Sequence, residues 1–288
     1  MALIKYHLGT TAWGLKEWKG DFFTDDAKPD RFLKQYSSVF NSVEGNTTFY
    51  GYPEPETIKD WNRQADKNFK FCFKFPQIIT HHKQLRDTKD DVTKFLELME
   101  PLRNKLGPFL IQFPASFGPS NLELLDNFLS SLSVDFRYGV EVRHPNFFNH
   151  GPHERNLNDL LKGLGMNRII FDTRKLHESK SEETTIQEAK RKKPNVPVRF
   201  DAVGSQPIVR YVGVNDVLNN EVYLKEWAII VAEWIGEGKH PYFFAHAPNS
   251  YHGPWIARRF HELLRQFIEI DSLQKWPADS QDEQLGLF

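Results

Sequence analysis

Hydrophobic and polar positions alternate with a period of two in a series of short segments and with a helical period in the longer segments between them. Residues 70–75, Lys-Phe-Cys-Phe-Lys-Phe, are the cleanest strand pattern. Further strands are expected at 5–9, 42–46, 109–113, 138–144, 168–172, 208–212 and 242–246. Helical spacing falls at 30–39, 56–65, 89–102, 122–132, 156–164, 221–235 and 255–267, with Phe32, Leu33, Tyr36 and Phe40 marking the first and Trp227, Ile230, Val231 and Trp234 the sixth. Eight strands, most followed by a helix, predict an α/β protein with a parallel sheet. The expected architecture is a closed (β/α)8 TIM-type barrel over residues 1–270, forming a single domain. A polar segment, 175–206, reads as an insertion after the sixth strand, with a short helix near 185–192. The doubly wound open sheet is the alternative, but no Gly-x-Gly-x-x-Gly turn follows the first strand.

The stretch 138–144, Tyr-Gly-Val-Glu-Val-Arg-His, changes this from a fold pattern into a functional one. Tyr138, Val140 and Val142 share one face, while Gly139, Glu141 and Arg143 share the other. Buried charge without a partner is costly, so Glu141 and Arg143 must find partners or water. Active sites of such barrels sit at the C-terminal strand ends. The last polar side chains there are Glu44 and Asn46, Lys74, Gln112, Glu141 with Arg143 and His144, Asp172, Arg210 and His246.

Several chemistries fit these side chains. Glu44 and Glu141 can act as acid and base, with Lys74 and Asp172 beside them. Lys74, Arg143 and Arg210 can hold a phosphate or carboxylate, which points to a small anionic substrate and a hydrolytic or isomerising enzyme. Lys74 can instead form a Schiff base if neighbouring cations lower its pKa. A metal reading uses Glu141, Asp172 and His246, with Glu44 as fourth ligand, and would suit Mn or Zn. No compact ligand motif supports it, so no cofactor is expected. Acids on the fourth and seventh strands, as in many glycosidases of this fold, are missing; Gln112 and Arg210 stand there. A non-catalytic barrel that binds a ligand or partner at its mouth is a further alternative.

Other conspicuous residues have plainer readings beside the functional ones. Trp13 and Trp18 form either a stacking platform for substrate or a hydrophobic lid, and Tyr50 shares that ambiguity. His81 and His82 read as a loop feature, and His7 and Cys72 as core. The basic run 190–193 reads as a solvated loop. Composition narrows the class. Charged residues make up 26% and hydrophobic ones 40% of the 288 residues, as in soluble globular proteins. The formal charge of −1 exerts no general pull on nucleic acid or membrane. No apolar run is long enough for a membrane span, and the N-terminal residues lack a signal-peptide layout. With a single cysteine, a cytoplasmic location is expected. The 24 phenylalanines suggest a wide apolar interior and an aromatic-lined cleft.

The chain resembles the family catalogued as domain of unknown function 72, the YecE-like proteins, over about residues 5–267. Gly9-Thr10-Thr11-Ala12-Trp13 is similar to the family's opening Gly-Thr-Ser-Gly-Trp. Val43-Glu44-Gly45-Asn46-Thr47-Thr48-Phe49-Tyr50 resembles its Val-Glu-Ile-Asn-Ser-Thr-Phe-Tyr motif. Lys74 with Pro76, Gln112 with Pro114, and Glu141-Val142-Arg143-His144 resemble its third, fourth and fifth blocks. The resemblance implies a TIM-type barrel with a pocket on these strand ends; it does not imply an activity. Departures fall at the seventh strand, Arg210-Tyr211-Val212-Gly213, and at the eighth, where His246 stands near a usual Asn pair.

Residues 271–288 are expected to be a flexible tail, with the polar stretch 276–284 disordered. The chain ends Gln284-Leu285-Gly286-Leu287-Phe288. This resembles the Gln-Leu-x-Leu-Phe peptide with which bacterial DNA-processing proteins dock on the sliding clamp; Gln284, Leu285, Leu287 and Phe288 would be the anchors. Such docking would accompany a metal-assisted hydrolase acting on nucleic acid. The alternative is a tail whose Leu and Phe pack on the chain itself.

Overall fold

A computed structural model describes residues 6–279. Eight short strands run β1 His7–Thr10, β2 Ser42–Gly45, β3 Lys70–Phe73, β4 Phe109–Gln112, β5 Tyr138–Glu141, β6 Asn167–Asp172, β7 Ile208–Val212 and β8 Tyr242–His246. Lys70 apart, every strand residue is buried, as expected of parallel strands covered on both faces. All the pairings are parallel.

The closed eight-stranded (β/α)8 TIM-type barrel is not formed. Six strands make an open, curled sheet in the order β1-β8-β7-β6-β5-β4, and β2 pairs only with β3. Side chains explain the first break, because they take the backbone groups a β1–β2 ladder would need. Leu8 N–H donates to Asn41 Oδ1 at 2.7 Å, and Asn41 Nδ2 donates to the Tyr6 carbonyl at 3.0 Å. Thr10 N–H donates to Tyr36 Oη at 2.8 Å, and that hydroxyl donates to the Ser42 carbonyl at 3.1 Å. Between β3 and β4 only isolated bridges remain, at Phe71 with Leu106 and Lys74 with Leu110. Three steps on one side therefore match four on the other, a bulge-like slip. Pro108 lies within it and has no N–H to donate.

One alternation of side chains points to the middle of the curl. Cys72, Leu110, Ile169, Ile208, Tyr242 and Phe244 form a separate apolar cluster there. The polar strand ends lie one step further along the strands. The opposite face meets the helices. Phe73 stacks on Trp61 at 5.3 Å, and Phe75 meets Phe95 edge-on at 5.2 Å. Many of the phenylalanines thus fill the layer between strands and helices, while Phe244 lies in the inner cluster and Phe171 and Phe49 border the charged strand ends. In the helix Glu221–Gly236, Leu224, Trp227, Ala228 and Val231 recur at helical spacing and are buried. In the helix Gly253–Leu264, Phe260 stacks on Phe243 of β8 at 3.7 Å.

The segment after β6 folds over the strand ends. Its helices are Arg174–Glu178 and Thr184–Lys192. Leu176, Ile186 and Ala189 pack with Phe171, Val212 and Val214. Its return is pinned by Arg199, which donates to Glu154 Oε1 at 2.7 Å and to the Phe148 carbonyl. The expected disorder from residue 276 does not begin there. Trp276 is buried against Phe22 at 4.8 Å, under the Arg258 guanidinium at 3.5 Å. A large aromatic ring recovers contact area that a polar neighbourhood does not foretell. The clamp-like residues Gln284, Leu285, Leu287 and Phe288 lie outside the described residues. Among the described residues, no helix is long and apolar enough to cross a membrane.

Candidate functional site

Alternation brings seven of the expected strand-end residues into one network, buried except for the half-buried Arg143. Arg210 of β7 grips Glu44 of β2 with two nitrogens, Nε to Oε2 at 2.8 Å and Nη2 to Oε1 at 2.8 Å. Its third nitrogen, Nη1, donates to Glu141 Oε2 of β5. His246 Nε2 lies 2.9 Å from Glu44 Oε2. Lys74 Nζ donates to Gln112 Oε1 at 3.0 Å and stands 3.9 Å from Glu44 Oε1. Arg143, two residues beyond Glu141, donates through Nε to Glu141 Oε1 at 2.7 Å. Both carboxylates are almost fully buried, at 0% and 1% exposure, so these partners are what allow them to remain charged.

The electrostatics follow from who faces whom. Burial alone would raise the Glu44 carboxyl, but Arg210, His246 and Lys74 hold it well below the usual carboxylate range. Burial likewise opposes the Glu141 charge, and Arg210, Arg143 and Lys74 overcome it, bringing its pKa down to about 2. Burial lowers His246 to about 4 despite Glu44. A neutral ring beside a carboxylate must carry its proton on Nε2 and donate it. Burial, with Arg210 next to it, lowers the Lys74 ammonium to about 7.

Above this floor is a cavity of about 430 Å³. Glu44, Lys74, Arg210 and His246 form its base, and Asn46 and Tyr50 stand at one edge. Asn46 is held by a bond from Nδ2 to the Thr11 carbonyl at 3.2 Å, whereas the Tyr50 side chain is exposed. The opposite wall comes from the segment after β6: Thr185, Glu188, Lys192 and Lys193. Lys192 pairs with Glu188 at 3.2 Å. Lys193 is turned inward, its Nζ 6.0 Å from the centre of the Phe171 ring, and burial with Arg210 nearby lowers its pKa. The basic run 190–193 is therefore not simply a solvated loop. Ile186, Ala189 and Lys193 recur at helical spacing, a signal that Lys193 shares the buried face.

Three expected site residues lie elsewhere. Asp172 points out of the curl, accepting from Arg174 Nη2 at 2.9 Å and Trp227 Nε1 at 2.8 Å. Its neighbour Phe171 is the β6 residue that faces the network, with the Arg210 guanidinium 4.9 Å from its ring centre. Pairing with β7 fixes this parity, since Phe171 is in register with Arg210. His144 caps the turn after β5, its Nδ1 accepting from Asn146 N–H at 3.2 Å, and its ring packs by Gly118. Trp13 meets Trp61 edge-on at 5.2 Å and Phe71 at 5.9 Å, so it fills the layer beneath the helices instead of offering a stacking platform. Trp18 is wholly buried. With Asp172 turned away and Arg210 wedged between Glu44 and Glu141, the metal quartet is not assembled. Among the described residues, no group of three or more His, Cys, Asp or Glu side chains is placed to hold a metal ion.

His81 lies closer to the site than a plain loop feature would. It occupies a π-helical turn, Ile78–His82, against Phe49 at 5.1 Å. Burial, with Arg143 and Lys74 in range, lowers its pKa. Gln84, Leu85 and Asp87, just beyond, all have positive φ, an uncommon run of backbone strain. A larger, shallower groove of about 1160 Å³ lies elsewhere, bordered by the exposed Arg31, Lys34, Asp66 and Lys275. It contains none of the buried charged network and is not the candidate site.

Comparisons with known proteins identify the family of the chain. A family model described as "Protein of unknown function DUF72" matches residues 7–281. The UPF0759 protein YecE of Escherichia coli K12 is 38% identical over 275 residues, covering 95% of this chain and 98% of that protein. The YecE protein of Escherichia coli O157:H7 matches equally, at 38% over 275 residues. Among solved structures, a DUF72 family protein from Thermotoga maritima MSB8 superposes with a TM-score of 0.70 at 24% identity, covering 90% of this chain and 99% of that one. One from Enterococcus faecalis V583 superposes with a TM-score of 0.68 at 17% identity, covering 94% and 98%. At those identities the structures speak for the fold alone, but the family model and the Escherichia coli proteins span nearly the whole sequence: the chain belongs to the DUF72 family.

Proposed function

We propose that the cavity binds a small anionic compound, bearing a phosphate or carboxylate, and that the protein is an enzyme acting on it with Lys74 as the proton-transferring group. The observation that carries this reading is the division of charge around the cavity. Arg210 is committed to Glu44 and Glu141, and Lys192 to Glu188. Among the described residues, Lys74 and Lys193 then line the cavity without a carboxylate in direct hydrogen-bond contact. Two cations so placed are matched by an anionic group, which would form charge-assisted hydrogen bonds there.

This moves the acid/base role away from Glu44 and Glu141. Carboxyls held below the usual range carry no proton to give near neutral pH. Both oxygens of Glu44 already accept hydrogen bonds, which weakens it as a base. An amine titrating at about 7 is matched to proton transfer at physiological pH. Arg210 would position the two carboxylates rather than touch the ligand. The test is calorimetric titration with inorganic phosphate. Lys193→Gln should weaken binding by about tenfold or more, as expected for loss of one hydrogen bond to a charged group. Arg191→Gln, on the exposed side of the same helix, should leave the affinity unchanged. Equal affinities in all three proteins, or no phosphate binding at millimolar concentration, would refute the anion-binding reading.

A further inference from the structure

The surroundings of Lys74 are unlike those of a structural ion pair. An ammonium has three N–H donors. Among the described residues, Lys74 Nζ has one direct hydrogen-bond partner, Gln112 Oε1 at 3.0 Å. The carboxylate oxygen within ion-pair reach, Glu44 Oε1, is 3.9 Å away and already accepts from Arg210. The residue is buried, with Arg210 and Arg143 as cationic neighbours set against the carboxylates of Glu44 and Glu141, and the Phe49 ring covers one side at 5.6 Å. Lys74 also lines the open cavity. A primary amine that is buried, beside other cations and open on one side can act as a nucleophile.

We propose that Lys74 condenses with the carbonyl carbon of a substrate that also carries an anionic group, giving an imine. This inference rests on the anion-binding reading and names its substrate class: a keto acid or a phosphorylated aldehyde or ketone. The nitrogen lone pair attacks the carbonyl carbon and a C–N bond forms. The carbonyl oxygen then leaves as water, taking both amine protons, and the C=N bond remains. No oxidant, reductant or further reactant is needed. Lys193, on the opposite wall, would hold the anionic end and leave the carbonyl facing the floor. Gln112, bonded to Lys74 Nζ, orients the amine. It is neutral and cannot fix Lys74 as a cation the way a carboxylate would.

The lowered affinity of Lys74 for its proton points the same way, since only the neutral amine has a lone pair. The π-helical turn bearing His81 places a titratable ring within electrostatic range of Lys74, where water must be made and released.

The experiment is reductive trapping on the full chain. The protein is incubated separately with pyruvate and with dihydroxyacetone phosphate, each with cyanoborohydride, and read by intact mass and peptide mapping. The expected result is one reduced substrate equivalent on the peptide carrying Lys74, suppressed several-fold by excess inorganic phosphate. The arm that labels tells carboxylate from phosphate as the anionic group. Lys74→Arg should abolish the label; because mapping of the unmodified sequence locates the adduct directly, the result does not depend on that variant folding. Labelling spread over surface lysines, unchanged in Lys74→Arg, would overturn the proposal. Absence of label while phosphate still binds would overturn the imine and leave anion binding intact. Absence of both label and phosphate binding would overturn both readings.

Discussion

Removing Arg210 should unfold this protein more readily than removing any other charged side chain of the floor. Its guanidinium touches both buried carboxylates, through three hydrogen bonds. At about 4 Å between charge centres and an effective dielectric near 20, each pairing is worth about 4 kcal/mol in Coulomb energy. Desolvation of the ions offsets several kcal/mol of that. Arg210→Leu leaves two buried carboxylates facing one another, so the cost should lie at the upper end of the 3–5 kcal/mol range for breaking a buried pair, about 5 kcal/mol.

The pH dependence fixes the sign. In the wild type, Glu44 and Glu141 have folded pKa values below the unfolded value of about 4.3. They contribute stability that is present above about pH 4.3 and is lost as pH falls toward 2. In Arg210→Leu the chief counter-charge is gone, burial dominates, and the carboxyls rise above about 4.3. Their contribution is then fully present below that value and is lost as pH rises. The gap between wild type and variant should therefore narrow as pH falls from about 7 to about 4. Urea denaturation monitored by circular dichroism at both pH values reads this directly. A gap under about 1 kcal/mol at neutral pH, or one that widens on acidification, would refute the reasoning. A control replaces all three groups, as Glu44→Gln, Glu141→Gln and Arg210→Leu together, and should recover part of the loss because no buried carboxylate is left without its arginine, although Arg143 and Lys74 lose their ion-pair partners.

Two further outcomes test the architecture. Asp172→Asn should leave phosphate affinity unchanged while lowering stability by about 1–3 kcal/mol, since Asp172 serves Arg174 and Trp227 outside the curl; a calorimetric titration showing weakened phosphate binding would return Asp172 to the site. Gly9→Ala should destabilise by about 3 kcal/mol or more, because a methyl there would stand 2.0 Å from the Ser42 carbonyl oxygen, and backbone cannot move aside as a side chain can. Thermal unfolding of Gly9→Ala at the wild-type midpoint would mean that β1 and β2 are not so closely apposed.

Most of the site was legible along the chain. A period of two assigns a facing direction within each strand, so Glu44, Lys74, Gln112, Glu141, Arg210 and His246 are found together once the strands are phased. The rule misled at β6. There Asp172 is the last polar residue of an otherwise apolar run, and polarity suggested a site residue where a partner outside the curl was waiting. Trp13 and His144 misled for a related reason: an aromatic ring or imidazole near a mouth is equally suited to packing and to a turn cap.

What the sequence by itself determined was local: where the strands and helices lie, the direction of each side chain within a strand, the family, and the need for buried carboxylates to meet cations. Tertiary structure alone decided who meets whom. Whether the curl closes depended on Tyr36 and Asn41 replacing ladder bonds between β1 and β2, and on the slip around Pro108 between β3 and β4. Whether Glu44 and Glu141 were free to do chemistry depended on one arginine reaching both from β7. Whether Lys193 belonged to a loop or a cavity depended on the segment after β6 folding back over the strand ends. Each is a contact between residues far apart in the chain, and periodicity carries the direction of a side chain but not the identity of the neighbour it finds.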